Sequence, residues 1–260
     1  MTGQSLPRQV GEVARRSFTR TLRQPGVLIP PLTFPLMLMA VNSSGLRSAT
    51  HLPGFPSDSF LAFFLPFSFM QGALFAASTA GTDLARDIDT GFLNRLALTP
   101  LRSTALLVGQ LGGATVMGVV QAIVYLSVGL IFGVRFATGI PGIAMLLVLA
   151  ILIAIGWASV GIWIALRTGS GEAVQSQFPI LFFLLFISSM NMPRNLIEVD
   201  WFRDAATLNP VSYMIEGLRS LIIEGWNPQA LALALLMTLG LIGVALGLSA
   251  HALRYRMART

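Results

Sequence analysis

Conventional catalysis finds few side chains to work with in this chain. Cysteine is absent, and the two histidines, His51 and His251, stand at opposite ends of the sequence. A thiol nucleophile, a disulfide framework and a cysteine-bound metal are therefore excluded, and no metal site is expected. Every basic residue is arginine. With no lysine there is no G-x-x-x-x-G-K-[ST] loop, so any ATP that drives this protein is hydrolysed by another polypeptide. What remains is electrostatic. The densest interior group of charges lies in the stretch 85–102, with Arg86, Asp87, Asp89, Arg95 and Arg102 between two long apolar runs. These charges belong in water between two membrane spans. Phe92, Leu93, Leu96 and Leu98 recur near a helical period, Thr90 and Gly91 can open a turn, and Thr99 with Pro100 closes it. Composition leaves two readings open, a solvated loop or a short amphipathic docking helix.

A second polar irregularity covers 191–227, too polar to span a membrane and too apolar for an ordinary loop. Asn209 reads as an N-cap and Pro210 as the first helical residue. Val211, Met214, Ile215, Leu218, Leu221 and Ile222 form a helical stripe ended by Gly225. Glu216 and Arg219, three residues apart, are expected to pair on one face. Neutral polar residues also fall inside apolar runs. Gln71 and Gln121 lie deepest and are the pathway candidates, although such groups more often join helices. Phe60, Phe63, Phe64, Phe67 and Phe69, with Phe182, Phe183 and Phe186, either line a route for apolar cargo or simply pack.

The elements that must carry these groups are membrane helices. The chain is 54% hydrophobic and 11% charged, against roughly 25% charged in soluble domains. One transmembrane domain, 1–260, is expected, all α, with six spans near 27–46, 59–82, 103–134, 140–166, 173–190 and 228–253. Pro30, Pro31 and Pro35 crowd the first turns of span one. Residues 5–23 form a basic amphipathic interfacial helix carrying Arg15, Arg16, Phe18 and Arg20; its polar lead is too long for a signal peptide. Six spans place both termini on one side. That side, which includes 85–102, holds twelve of the seventeen arginines, the other five being Arg47, Arg135, Arg194, Arg203 and Arg219. The richer side is expected to be cytoplasmic. The arginines form no continuous stripe, so the net charge of +6 points to topology and not to nucleic acid.

Two groups of residues resemble the membrane subunits of the type-2 family of ABC exporters. One is Asp89, Thr90, Gly91, Leu93, Arg95, Leu96, Thr99 and Pro100, with Thr and Gly in inverted order and Asp where Glu is commoner. The other, closer to the family pattern, is Asn209, Pro210, Tyr213, Glu216 and Arg219 ahead of the last span. The resemblance implies a permease in a prokaryotic cell membrane that is no enzyme itself and binds no cofactor. ATP and Mg would be held on separate ATPase subunits, two per complex. It also implies a second permease subunit, identical or related, and contact with membrane lipid. Residues 85–102, with Arg86 and Asp87 included, would be the coupling helix. Segment 5–23 would be the gating helix nearby, and 191–227 the external re-entrant helices. Hydrophobic drugs, natural products or lipids are the expected cargo. An ATP-independent carrier or channel, and a structural or regulatory membrane subunit, stay open as alternatives.

Overall fold

The computed structural model describes residues 19, 25–92 and 103–257. The interfacial helix with Arg15, Arg16, Phe18 and Arg20 lies outside the described residues. So do Leu93, Arg95, Leu96, Thr99 and Pro100 of the docking stretch. Among the described residues the chain is helical: α1 Pro25–Gly45, α2 Phe60–Asp89, α3 Ser103–Ile131, α4 Gly139–Thr168, α5 Gly171–Ser176, α6 Phe178–Phe186, α7 Asp200–Leu208, α8 Pro210–Arg219 and α9 Pro228–Met257. Short 3-10 turns, Arg47–His51 and Arg194–Leu196, and a π turn, Ser220–Glu224, connect them.

Four of these helices are long and apolar enough to cross a bilayer: α2, the Gly109–Ile131 part of α3, α4 and α9. Their local chemistry sets their ends. Ser59 caps α2 by accepting from the Ala62 amide. Gly91, at φ +66°, turns the chain out after α2. Gly169, at φ +72°, ends α4 with its N–H on the Ala165 carbonyl.

The core is built around α2, whose apolar window is 89% buried, whereas that of α9 is 22% buried and faces outward. Phe60, Phe63, Phe64, Phe67 and Phe69 are all inside this core, in ring-to-ring contact such as Phe64–Phe67 at 4.6 Å. Among the described residues they are packing groups, enclosed by their neighbours. Phe183 and Phe186 do face outward. At the α2–α4 crossing the backbones touch. A Cβ placed on Gly161 would sit 1.9 Å from the Ala77 carbonyl oxygen, and one on Gly81 2.7 Å from the Gly161 carbonyl oxygen. Without water to drive helices together in a bilayer, such close approach supplies much of the association energy.

Three expectations need adjusting. The helix that carries span two runs past the span's expected end near Thr82, to Asp89, because nothing breaks it before Gly91. Span five is not one helix. It is broken at Gln177 and stops at Phe186, since Pro179 has no N–H for the carbonyl four residues back. The sixteen residues Gly171–Phe186 reach about 24 Å, short of the roughly 30 Å hydrocarbon core. The prolines of span one fall in the interior of α1, which begins at Pro25. There Pro35 cannot donate to the Pro31 carbonyl, and the Tyr125 hydroxyl of α3 donates to it instead.

Candidate functional site

The helices deliver chemistry to two ends and to one point between them. At the first end lie the α3–α4 turn, α7, α8 and the loop after α6. The Ala137 amide donates to the Ile222 carbonyl at 2.9 Å and Thr138 Oγ1 to the Leu221 carbonyl at 2.6 Å. The apolar stripe of α8 and its π extension is fully seated: Val211, Met214, Ile215, Leu218, Leu221 and Ile222 are all buried. Asn209 caps α8 by accepting from the Val211 amide at 3.0 Å. Its Nδ2 also donates to the Leu184 and Ile187 carbonyls at 2.6 and 2.5 Å, which joins α8 to the end of α6. Pro210 is the first residue of α8.

The expected Glu216–Arg219 pair is not formed. Glu216 takes a forked contact from Arg194, Nε to Oε1 at 2.8 Å and Nη2 to Oε2 at 2.5 Å. The same guanidinium lies 4.6 Å over the Tyr213 ring, and the Tyr213 hydroxyl donates to the Thr207 carbonyl at 2.8 Å. Arg219 turns inward and is buried. It donates to the carbonyls of Phe63 at 3.3 Å, Ser189 at 2.9 Å and Met190 at 3.1 Å, with its charge 3.6 Å over the Phe63 ring. Burial lowers its pKa and Glu216 and Glu224 partly offset this, leaving it at about 9, so it remains a cation at neutral pH. The residues Asn209, Pro210, Tyr213, Glu216 and Arg219 thus converge on one structure. It ties α8 to the start of α2 and to the 187–190 turn. Arg194, the missing partner, sits 22 residues from Glu216. No periodicity links the two.

At the opposite end Arg86, Asp87 and Asp89 occupy the final turn of α2 and not a separate helix. Arg86 and Asp89 are exposed. Asp87 is 4% exposed and accepts from Gln110 Nε2 of α3 at 3.2 Å. Thr90 Oγ1 donates to the Arg86 carbonyl at 2.9 Å, closing the turn before Gly91. The last turn of α2 is thus latched to α3 by a buried carboxylate–amide contact.

Between the ends Gln71 of α2 and Gln121 of α3 are both buried. The Gln121 carboxamide oxygen lies close against Gly72, 2.9 Å from where a Cβ would stand. Gln71 Nε2 and Oε1 and Gln121 Nε2 have no hydrogen-bond partner among the described residues. Burying an amide without a partner costs about 1–3 kcal/mol per group, which makes these two carboxamides the interior groups to test for a polar contact. Among the described residues no cluster of three or more His, Cys, Asp or Glu could hold a metal.

The sequence has known counterparts. The family description "ABC-2 type transporter" matches residues 8–223. A probable doxorubicin resistance ABC transporter permease protein DrrC from Mycobacterium tuberculosis is 25% identical over 77% of this chain and 70% of its own length. A daunorubicin resistance ABC transporter permease protein DrrB1 from Streptomyces coeruleorubidus is 25% identical over 84% of this chain and 75% of its own. A putative transport permease, ycf38, from Cyanophora paradoxa is 26% identical over 80% and 72%. With the family match running over most of the chain and the helices built to cross a bilayer, this protein belongs to the ABC-2 type transporter family, as a multi-pass membrane permease subunit.

Proposed function

We propose that this chain is the membrane half of an ATP-driven exporter of hydrophobic drugs or natural products, energised by separate ATPase subunits that dock on residues 85–102. In this reading α1 and the broken α5–α6 pair count as spans one and five. Both termini face the cytoplasm of a prokaryotic cell, and a second permease copy or relative completes the pathway. The supporting observation is the helix pair α2 and α3, free of acidic and basic side chains through the middle of the membrane; α2 ends in Arg86, Asp87 and Asp89 and is latched to α3 by Asp87 and Gln110. A rigid helical pair of this kind transmits a push on its tip to the interior, where Gln71 and Gln121 lie on the same two helices. The absence of an intramembrane charge leaves no ion relay to power transport from within. The resistance phenotypes in the relatives' names support an anthracycline-like cargo.

The test is reconstitution with and without an ABC ATPase subunit that co-purifies with this chain from native membranes. Export of doxorubicin from inside-out vesicles should require ATP and that subunit, and charge reversal at Asp89 and Arg95 together should abolish both export and co-purification. Ion-driven flux by this chain alone, or full export by the charge-reversed protein, would overturn the proposal.

A further inference from the structure

At the arginine-rich end, α4 and α9 part to leave a cleft of about 720 Å³ whose walls include Trp163, Arg167, Leu248, His251, Tyr255 and Arg256. We propose that this cleft binds an anionic phospholipid of the surrounding leaflet, with its phosphate between Arg167 and Arg256 and its acyl chains running along Leu248 and Trp163.

Four features of the cleft carry the assignment. Among the described residues no acidic side chain lines it, so the two guanidinium groups give its described walls a net positive charge. Arg256 is not a waving surface cation. Its Nη1 donates to the Leu166 carbonyl at 2.9 Å, and its Nη2 fits against Gly169, where a Cβ would come within 2.6 Å. The guanidinium is held over the C-terminal turn of α4 with other N–H groups left to turn toward an anion. The depth is also right. α4 ends at Thr168 and α9 at Met257, so the arginines stand at headgroup level. Trp163 lies about one turn below Arg167, at the inner edge of the interface where indoles sit. Finally, the lower wall is open to the bilayer: Leu248 is 42% exposed and the next outward turn of α9 presents Val244, 64% exposed. A soluble partner docking from the cytoplasm would not use that apolar lower wall, whereas a lipid fits both halves. Basic pockets between spans on the cytoplasmic side are the recognised form of such sites.

The experiment uses the full chain with Trp157, Trp201 and Trp226 replaced by phenylalanine, which leaves Trp163 as the only indole. Its fluorescence is read in vesicles containing either brominated phosphatidylglycerol or brominated phosphatidylcholine. Quenching by the anionic lipid is expected at several-fold lower mole fraction. The preference should be lost in Arg167→Gln plus Arg256→Gln and kept in Arg256→Lys, which retains the charge and controls for folding. Inorganic phosphate should not compete, since it lacks the chains. Equal quenching by the two lipids, a preference that survives in the double glutamine variant, or displacement by inorganic phosphate alone would each overturn the assignment. None of these outcomes depends on the cargo or on the ATPase.

Discussion

Glu216 pairs with Arg194, 22 residues upstream, and leaves Arg219 on its own helix to a different task. The contact is forked, about a quarter exposed on each side, and stacked on Tyr213. Partial exposure screens such a pair, so its coupling falls below that of a fully buried one. A double-mutant cycle on Arg194→Ala and Glu216→Ala should give a coupling energy of about 1–2 kcal/mol by denaturant unfolding in detergent. The parallel cycle on Glu216 and Arg219 should give much less. The reverse ordering would show that the local pair forms in the protein.

Arg219 should be worth more to the fold than Glu216. Removing it strands the Ser189 and Met190 carbonyls, which lie outside any helix, and empties the face of Phe63. Arg219→Ala is expected to cost about 2–4 kcal/mol. Arg219→Lys should recover only part of this, because a single ammonium cannot reach both sides of the fork. Thermal unfolding of the purified variants measures both. A near-neutral alanine variant would contradict the bridging role.

These two residues also mark where the sequence stopped being readable. The stripe from Val211 to Ile222, the Asn209 cap and the Gly225 stop are local, repeating or stereochemical signals, and all are present in the structure. The apolar runs located α2, α3, α4 and α9 for the same reason. Arg194 gave no such signal, because a contact between a loop and a distant helix has no period. The partners of Arg219 are backbone carbonyls, which any residue type supplies. The break at Gln177 was open to reading from Pro179 but was hidden by the apolar run around it. The extension of α2 to Asp89 was masked by its charges, which read as loop although helix can carry them once it leaves the bilayer.

The α2–α4 crossing gives a sharper test of packing. At Gly161 the obstacle to a side chain is the Ala77 backbone oxygen at 1.9 Å, which cannot rotate away. Gly161→Ala should therefore destabilise by about 3 kcal/mol despite its better helix propensity. Gly156→Ala on the same helix meets only the Leu241 and Ile242 side chains at 3.3 and 3.4 Å, and should be close to neutral. Equal melting temperatures for the two variants would mean that the helices do not approach this closely.

The unsatisfied pair between the ends predicts opposite signs for stability and function. If Gln71 and Gln121 were ordinary helix glue, replacing Gln71 with the similarly shaped Met would lower stability. Gln71 has no partner among the described residues, so Gln71→Met removes a desolvated amide and should leave stability unchanged or raise it by about 1–2 kcal/mol. Transport should fall several-fold, because the amide's partner is made only when cargo enters or when α2 shifts against α3. Unfolding and efflux measured on the same preparations separate the cases. A stable variant with undiminished efflux would remove both glutamines from the pathway, and a destabilised one would place them in the packing after all.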